Sequence, residues 1–291
     1  MKKARLMIII FALVGLVGVT VMVKTREGWL KGINESISDY YYISSPNGNS
    51  LEVKQDGLFC YYELKKYDYS TLEDNGYLKY KAEASIIDKV KFHNTGLLSG
   101  DSSNYETDFP RCAIEKNDAS DKQLFYHPSV DETKVKSEKS DGGKMYISLK
   151  GALSLNETAE IISKLSEYGE VTWLWVDTYA GQDMSEAEII QNAGFDGKKL
   201  NAYGIPLYYG GEKIENAADC FLGRLNSVSS DNDNFCAEVL TSVKRGIKPE
   251  GGEITETNIK VIGLVILPSP EIDRAEIFEA ICKDENVRAV N

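Results

Sequence analysis

The stretch Val171–Val176, VTWLWV, sets the narrowest limits on what this chain can fold into. It is aromatic and β-branched apart from one leucine, which is strand composition. Neighbouring side chains of a strand point to opposite faces. Trp173 and Trp175 therefore share one face, and Leu174 and Val176 share the other. Both faces are apolar, so the strand belongs in a sheet covered on both sides. An aromatic side chain buries about 150–250 Å², or about 4–6 kcal/mol per tryptophan as an upper bound. Large apolar patches are rare on soluble surfaces. The tryptophan face must then meet inserted helices, a neighbouring domain or a partner protein. Trp173 and Trp175 are the candidate interaction or interdomain face.

The flanking sequence places this strand in a repeated pattern. Met145–Lys150 alternates as a strand, and Ser154-Leu-Asn-Glu157 has the spacing of a capping box. Ile161, Ile162, Leu165 and Tyr168 then fall on one helical face, with Gly169 as a left-handed stop. A second strand–helix–strand unit closes the chain. It has a strand over Ile259–Leu267, a helix opened by Ser269-Pro270, and a strand over Val287–Val290. Two such units predict an α+β domain over 144–291 of the ferredoxin-like, split βαβ kind, with four strands and two helices on one face. The spacer 178–258 reads as a helical insertion, with helices near 186–193, 214–225 and 235–244.

At the other end, Met7–Val23 runs without a charge behind Lys2, Lys3 and Arg5. Its length meets the lower edge of the span a bilayer needs, about 17–25 residues. No A-x-A cleavage pattern and no lipid-accepting Cys follows, so an uncleaved, single-pass anchor over 7–24 is expected rather than a signal peptide. The six residues before it would stay cytoplasmic, with everything from Lys24 onward extracytoplasmic. Residues 25–39 read as a stalk. In 40–127, Tyr-rich alternation is broken by Pro-Asn-Gly-Asn, Gln-Asp-Gly and Asp-Asn-Gly, the pattern of an antiparallel, β-rich membrane-proximal domain. Residues 128–143 are polar and read as a linker.

Little in the chain suggests catalysis or a cofactor. Motifs of the GxSxG, HExxH and Walker A kinds do not occur, and there are two histidines, His93 and His127. Five cysteines lack any CxxC, so no zinc site is expected. Cys220 and Cys236 are the nearest pair in the C-terminal half and a candidate disulfide, worth roughly 3 kcal/mol in the chain-entropy model. Five buried thiols is the plainer alternative. Asp231 and Asp233 alternate like the start of a calcium loop, but Cys236 and Ser242 stand where Gly and Glu are needed. The tyrosines at 40–42, 61, 62, 67 and 69 fit half-exposed strands better than a sugar platform. With 33 Lys and Arg against 45 Asp and Glu, a net charge of −12, nucleic acid is not an expected partner.

YYYISSPNGN shortly after a membrane helix, followed by GKMYISLKGALSLNETAEIISKLSEYGEVTWLWVDTY, resembles the N-terminal and C-terminal sigma factor regulator domains. These form the outer part of a group of bacterial membrane-anchored anti-sigma factors. The resemblance implies a sensor or regulatory module that acts by protein–protein contacts, with no catalysis and no cofactor. Members that hold a sigma factor do so with a cytoplasmic segment ahead of the anchor. Here that segment is Met1–Leu6, and six residues cannot bury about 800 Å² per partner. The expected arrangement is a separate cytoplasmic protein reached through the membrane helix, a missing upstream start, or an outer-face module alone. An extracytoplasmic binding or structural protein with no transcriptional role is the alternative. An unrecognised hydrolase is a third reading, which a pocket with converging carboxylates or a Ser–His pair would revive.

Overall fold

The computed structural model describes residues 123–139, 143–191, 202–209, 211–228 and 235–291 continuously, together with strands in 49–94 and helical residues at 13–15, 17–18, 31–32, 35–36, 38–40 and 42–44. Among the described residues no helix is long and apolar enough to cross a membrane. The cytoplasmic tail at 1–6, most of the anchor expected at 7–24, part of the stalk at 25–39 and the calcium-like loop around Asp231 and Asp233 lie outside the described residues.

The first sheet is a four-stranded antiparallel meander of β1 (Asn49–Asp56), β2 (Phe59–Asp68), β3 (Glu73–Glu83) and β4 (Lys91–Asn94). Asp56 pairs with Phe59, which leaves two residues, Gly57 and Leu58, to connect the strands, with glycine in the first place as two-residue hairpins favour. After it, β5 (Gln123–Tyr126) pairs antiparallel with β8 (Glu188–Gln191). Residues 186–193 thus carry a strand where a helix was expected. The run is short and β-branched, and its partner lies far upstream, so local periodicity could not reveal the pairing.

The main sheet has five strands, all antiparallel, in the order β13-β6-β12-β7-β9. They are β6 (Met145–Leu153), β7 (Gly169–Val176), β9 (Gly204–Pro206), β12 (Val261–Pro268) and β13 (Val287–Val290). Helix α1 (Leu155–Leu165) joins β6 to β7. The small hairpin β10 (Tyr208–Tyr209) and β11 (Glu212–Lys213) precedes α2 (Ala217–Ser227) and α3 (Phe235–Ile247), and α4 (Arg274–Cys282) joins β12 to β13. The fold is α+β, an antiparallel sheet with several helices.

Local chemistry explains the helix ends. The Ser154 hydroxyl accepts the Glu157 N–H at 3.3 Å, and the Glu157 carboxylate accepts the Ser154 N–H at 2.7 Å, a complete capping box. Helix α4 is capped by Asp273, whose carboxylate accepts the Ala275 and Glu276 N–H groups, and Ser269 instead sits in the preceding turn. Gly169 does not take the expected left-handed conformation. It opens β7 where the backbone of Leu267 passes so close that a Cβ would lie 2.2 Å from the Leu267 carbonyl oxygen.

The sheet is buried on both faces. On one, Met145, Ile147, Leu149, Leu174, Val176, Leu264 and Ile266 join Ile161 and Leu165 of α1, Phe221 and Leu225 of α2, Leu240 of α3 and Ile277 of α4. On the other, Tyr146, Trp173, Trp175, Ile262 and Val265 are covered by Phe125, Tyr179, Met184 and Ala202. Phe125 seats its ring against three aromatics, at 4.7 Å from Trp175, 6.1 Å from Trp173 and 5.4 Å from Tyr146. A backbone bond fixes the cover, with the Tyr126 N–H donating to the buried Ser148 hydroxyl of β6 at 2.8 Å.

Residues 128–139, within the expected linker, lie against β13. Glu138 N–H donates to the Val290 carbonyl at 3.0 Å, Val290 N–H donates to Ser137 Oγ at 3.1 Å, and Val130 is buried. The polar composition reflects a surface strap, tied down by its backbone.

Gly263 lies beneath this second core. A Cβ there would sit 2.8 Å from Trp175 and 2.8 Å from the Ile147 carbonyl oxygen. Gly263→Ala is therefore expected to cost about 1–3 kcal/mol in denaturant unfolding. Gly151→Ala, whose Cβ meets nothing within 4 Å, should stay within about 0.5 kcal/mol of the parent.

Candidate functional site

Trp173 and Trp175 are fully buried and present no surface to a partner. The face they form is filled from within the chain, by Phe125 of β5 and by the segment that follows β7. The Cys220–Cys236 bridge is not made. Cys220 is a free, exposed thiol on α2, turned toward Tyr42, while the Cys236 side chain lies outside the described residues.

Cys220 instead marks the edge of the site that links the two ends of the chain. Residues 38–40 and 42–44 are helical, Tyr40 is buried, and Tyr42 and Ile43 are buried in the C-terminal body. Tyr42 and Ile43 belong to the helix-side core together with Phe221, Leu222 and Leu225 of α2. Of the tyrosines expected on half-exposed strands at 40–42, Tyr40 and Tyr42 are thus buried and helical, while Tyr41 lies outside the described residues. The sequence carries a trace of this: Ile33, Ile37, Tyr40 and Ile43 fall at helical spacing. The neighbouring Tyr-Tyr-Tyr run masks it with strand composition.

Arg224 organises the polar rim. It lies one turn beyond Cys220 on α2, so both reach the same side of the helix. Its guanidinium stacks over the Tyr42 ring at 4.1 Å and donates to Asp39 Oδ1 at 2.5 Å. Tyr209 closes the other side, with ring centroids 5.3 Å apart. Burial raises the Asp39 carboxyl above its ordinary value, outweighing the Arg224 hydrogen bond and charge, which pull it down. Burial, reinforced by the Cys220 thiol, likewise drives the Tyr42 hydroxyl far up, so it stays neutral. The docking thus combines apolar burial of Tyr42 and Ile43 with a partly buried ion pair at its rim.

A second cluster lies at the end of β5. The His127 Nδ1 accepts the Ser129 N–H at 3.2 Å and lies 2.7 Å from Ser129 Oγ, and His127 Nε2 stands 3.7 Å from Asp177 Oδ1. A Ser–His–Asp line is thus present. The nitrogen that would take the hydroxyl proton already accepts the amide of the same serine, two residues away. The arrangement is a turn cap rather than an activated nucleophile. Among the described residues no three His, Cys, Asp or Glu side chains converge on a point that could hold a metal ion.

Truncating Ile43 to Ala is expected to cost about 2–5 kcal/mol in denaturant unfolding of the full chain, and Asp39→Asn less than Ile43→Ala. Because the folded state raises the Asp39 carboxyl, it binds this proton at higher pH than the unfolded chain does. The contribution of Asp39 to stability should then increase as pH falls through that window. Measured against pH, the stability difference between the parent and Asp39→Asn should move in the parent's favour on acidification.

No protein-family model, no curated protein and no solved structure matches the chain.

Proposed function

We propose that the chain is a membrane-anchored, extracytoplasmic sensor or regulatory module of an anti-sigma-type system, acting through protein contacts without catalysis. Its outer body is assigned the ferredoxin-like, split βαβ plan. Numbered along the two units, the strands β6, β7, β12 and β13 lie in the order 4-1-3-2, with β9 added at the β7 edge. The anchor is assigned to residues 7–24 on the charge-free run. Its described helical residues expose Leu13, Val14 and Val17, at 57–64% of their surface. The resemblance to sigma factor regulator domains supplies the system, and a separate cytoplasmic protein supplies the contact with the sigma factor.

One observation carries the reading. The segment that follows the apolar run is seated in the core of the body, with Tyr42 and Ile43 against α2 and Arg224 over the Tyr42 ring. A body tied to its tether in this way transmits a change in one to the other, which a passive anchor would not require. In cells, deletion should alter a sigma-dependent transcript set under envelope stress. The double change Tyr42→Ala and Arg224→Ala should reproduce that effect while the chain remains in the membrane. Unchanged transcription after deletion, with a phenotype confined to the envelope, would instead favour a binding or structural role.

A further inference from the structure

Cys220 stands in the first turn of α2 and carries an exposed, free thiol. Its N–H is the first in the helix to reach a helical carbonyl, that of Asn216 at 3.0 Å. The N–H groups of Ala217, Ala218 and Asp219 precede it and have no carbonyl of the helix to bond. Asn216 supplies no side-chain cap. Helical side chains lean toward the N-terminus, so Sγ lies over this uncapped turn, where negative charge is favoured.

Behind the thiol lies the Tyr42 hydroxyl. Tyr42 is 3% exposed, and its hydroxyl is buried with no partner in hydrogen-bonding geometry. The Cys220 thiol is its polar neighbour, and sulfur accepts only weakly. A buried O–H left in this way costs its full desolvation. Burial drives the hydroxyl far up, so it keeps its proton and remains a donor. Arg224, one turn further along α2, stacks its guanidinium over the same ring at 4.1 Å, with Asp39 accepting one of its N–H groups. A donor, a cation and open helix amides thus surround one sulfur atom that receives them poorly.

An oxygen on Sγ supplies the missing acceptor. A thiol gains one from a hydroperoxide in a single balanced step. The thiolate sulfur attacks the terminal peroxide oxygen; an S–O bond forms and the O–O bond breaks. The leaving alkoxide or hydroxide takes up the proton that the thiol gave. Sulfur is oxidised by two electrons, the peroxide is reduced to an alcohol or water, and the thiol becomes a sulfenic acid.

We infer that Cys220 is a site of hydroperoxide oxidation whose sulfenic oxygen is held by the Tyr42 hydroxyl, so that oxidation tightens the seat of residues 38–40 and 42–44 on α2. By linkage, a docked Tyr42 favours the oxidised form by the same factor. The inference rests on the seat and is independent of the anti-sigma reading.

The test uses the full chain in detergent micelles. It is treated with hydrogen peroxide and then with a cyclic 1,3-diketone, which traps sulfenic acids, and its peptides are mapped by mass spectrometry. Cys220 should carry the label. Tyr42→Phe keeps the ring and removes only the hydroxyl. When the diketone is added after a fixed delay, labelling of Cys220 should fall several-fold in that variant. Amide exchange over residues 38–43 should slow several-fold on oxidation of the parent chain, and should not respond in Tyr42→Phe or Cys220→Ala. A Cys220 that stays unlabelled, or that passes on to a disulfide with Cys236, would overturn the inference. So would equal labelling in Tyr42→Phe, or exchange that is unchanged or faster after oxidation.

Discussion

Everything in the C-terminal body follows from one requirement, that the main sheet be covered twice. Helices α1 to α4 pack on one face of the five-stranded sheet, and the other face carries two tryptophans on β7, both fully buried. The crossover helices α1 and α4 cannot reach it. The chain solves the problem with parts from elsewhere, Phe125 from upstream and Tyr179 and Met184 from the beginning of the spacer. Close packing at this face explains why β12 carries Gly263 where the Trp175 and Phe125 rings descend onto the backbone.

The same need shapes the domain boundaries. A body that begins at Lys144 by composition is completed by residues 123–126 and by Tyr42 and Ile43. Both additions enter at places that read locally as something else, since residues 42–43 and 123–126 fall within the stretch 40–127 that reads as a separate β-rich domain. The 128–139 strap looks like a linker because its side chains are polar, yet its backbone is bound to β13. The Arg224–Tyr42 contact ties the helical residues around Tyr42 to the body, and backbone bonds tie the strap to β13.

How much was legible depended on the distance over which each feature is decided. The Ser154–Glu157 capping box, the alternation of β6 and the two-sided strand β7 are settled within a few residues, and they stand in the structure as the pattern implied. Glu188–Gln191 becomes a strand because Gln123–Tyr126 pairs with it, which no window on the sequence contains. Ser269-Pro270 offered a sound helix start, but Asp273 supplies two cap bonds and won. Gly169 looked like a helix stop and is instead a close-approach glycine, a distinction that only the neighbouring strand makes. The docking site was hidden most deeply. Arg224, Asp39 and Tyr42 are ordinary residues on weakly patterned segments, and only the fold brings them within hydrogen-bonding and stacking reach.

The central claim is that the helical residues 38–40 and 42–44 belong to the folded body. Amide hydrogen exchange on the full chain in lipid nanodiscs measures this residue by residue. The account predicts that amides of residues 38–43 exchange as slowly as those of α2 and lose protection together with them in rising denaturant. Rapid exchange over 38–43 beside a protected α2 would contradict it, because these residues would then hang free of the C-terminal core.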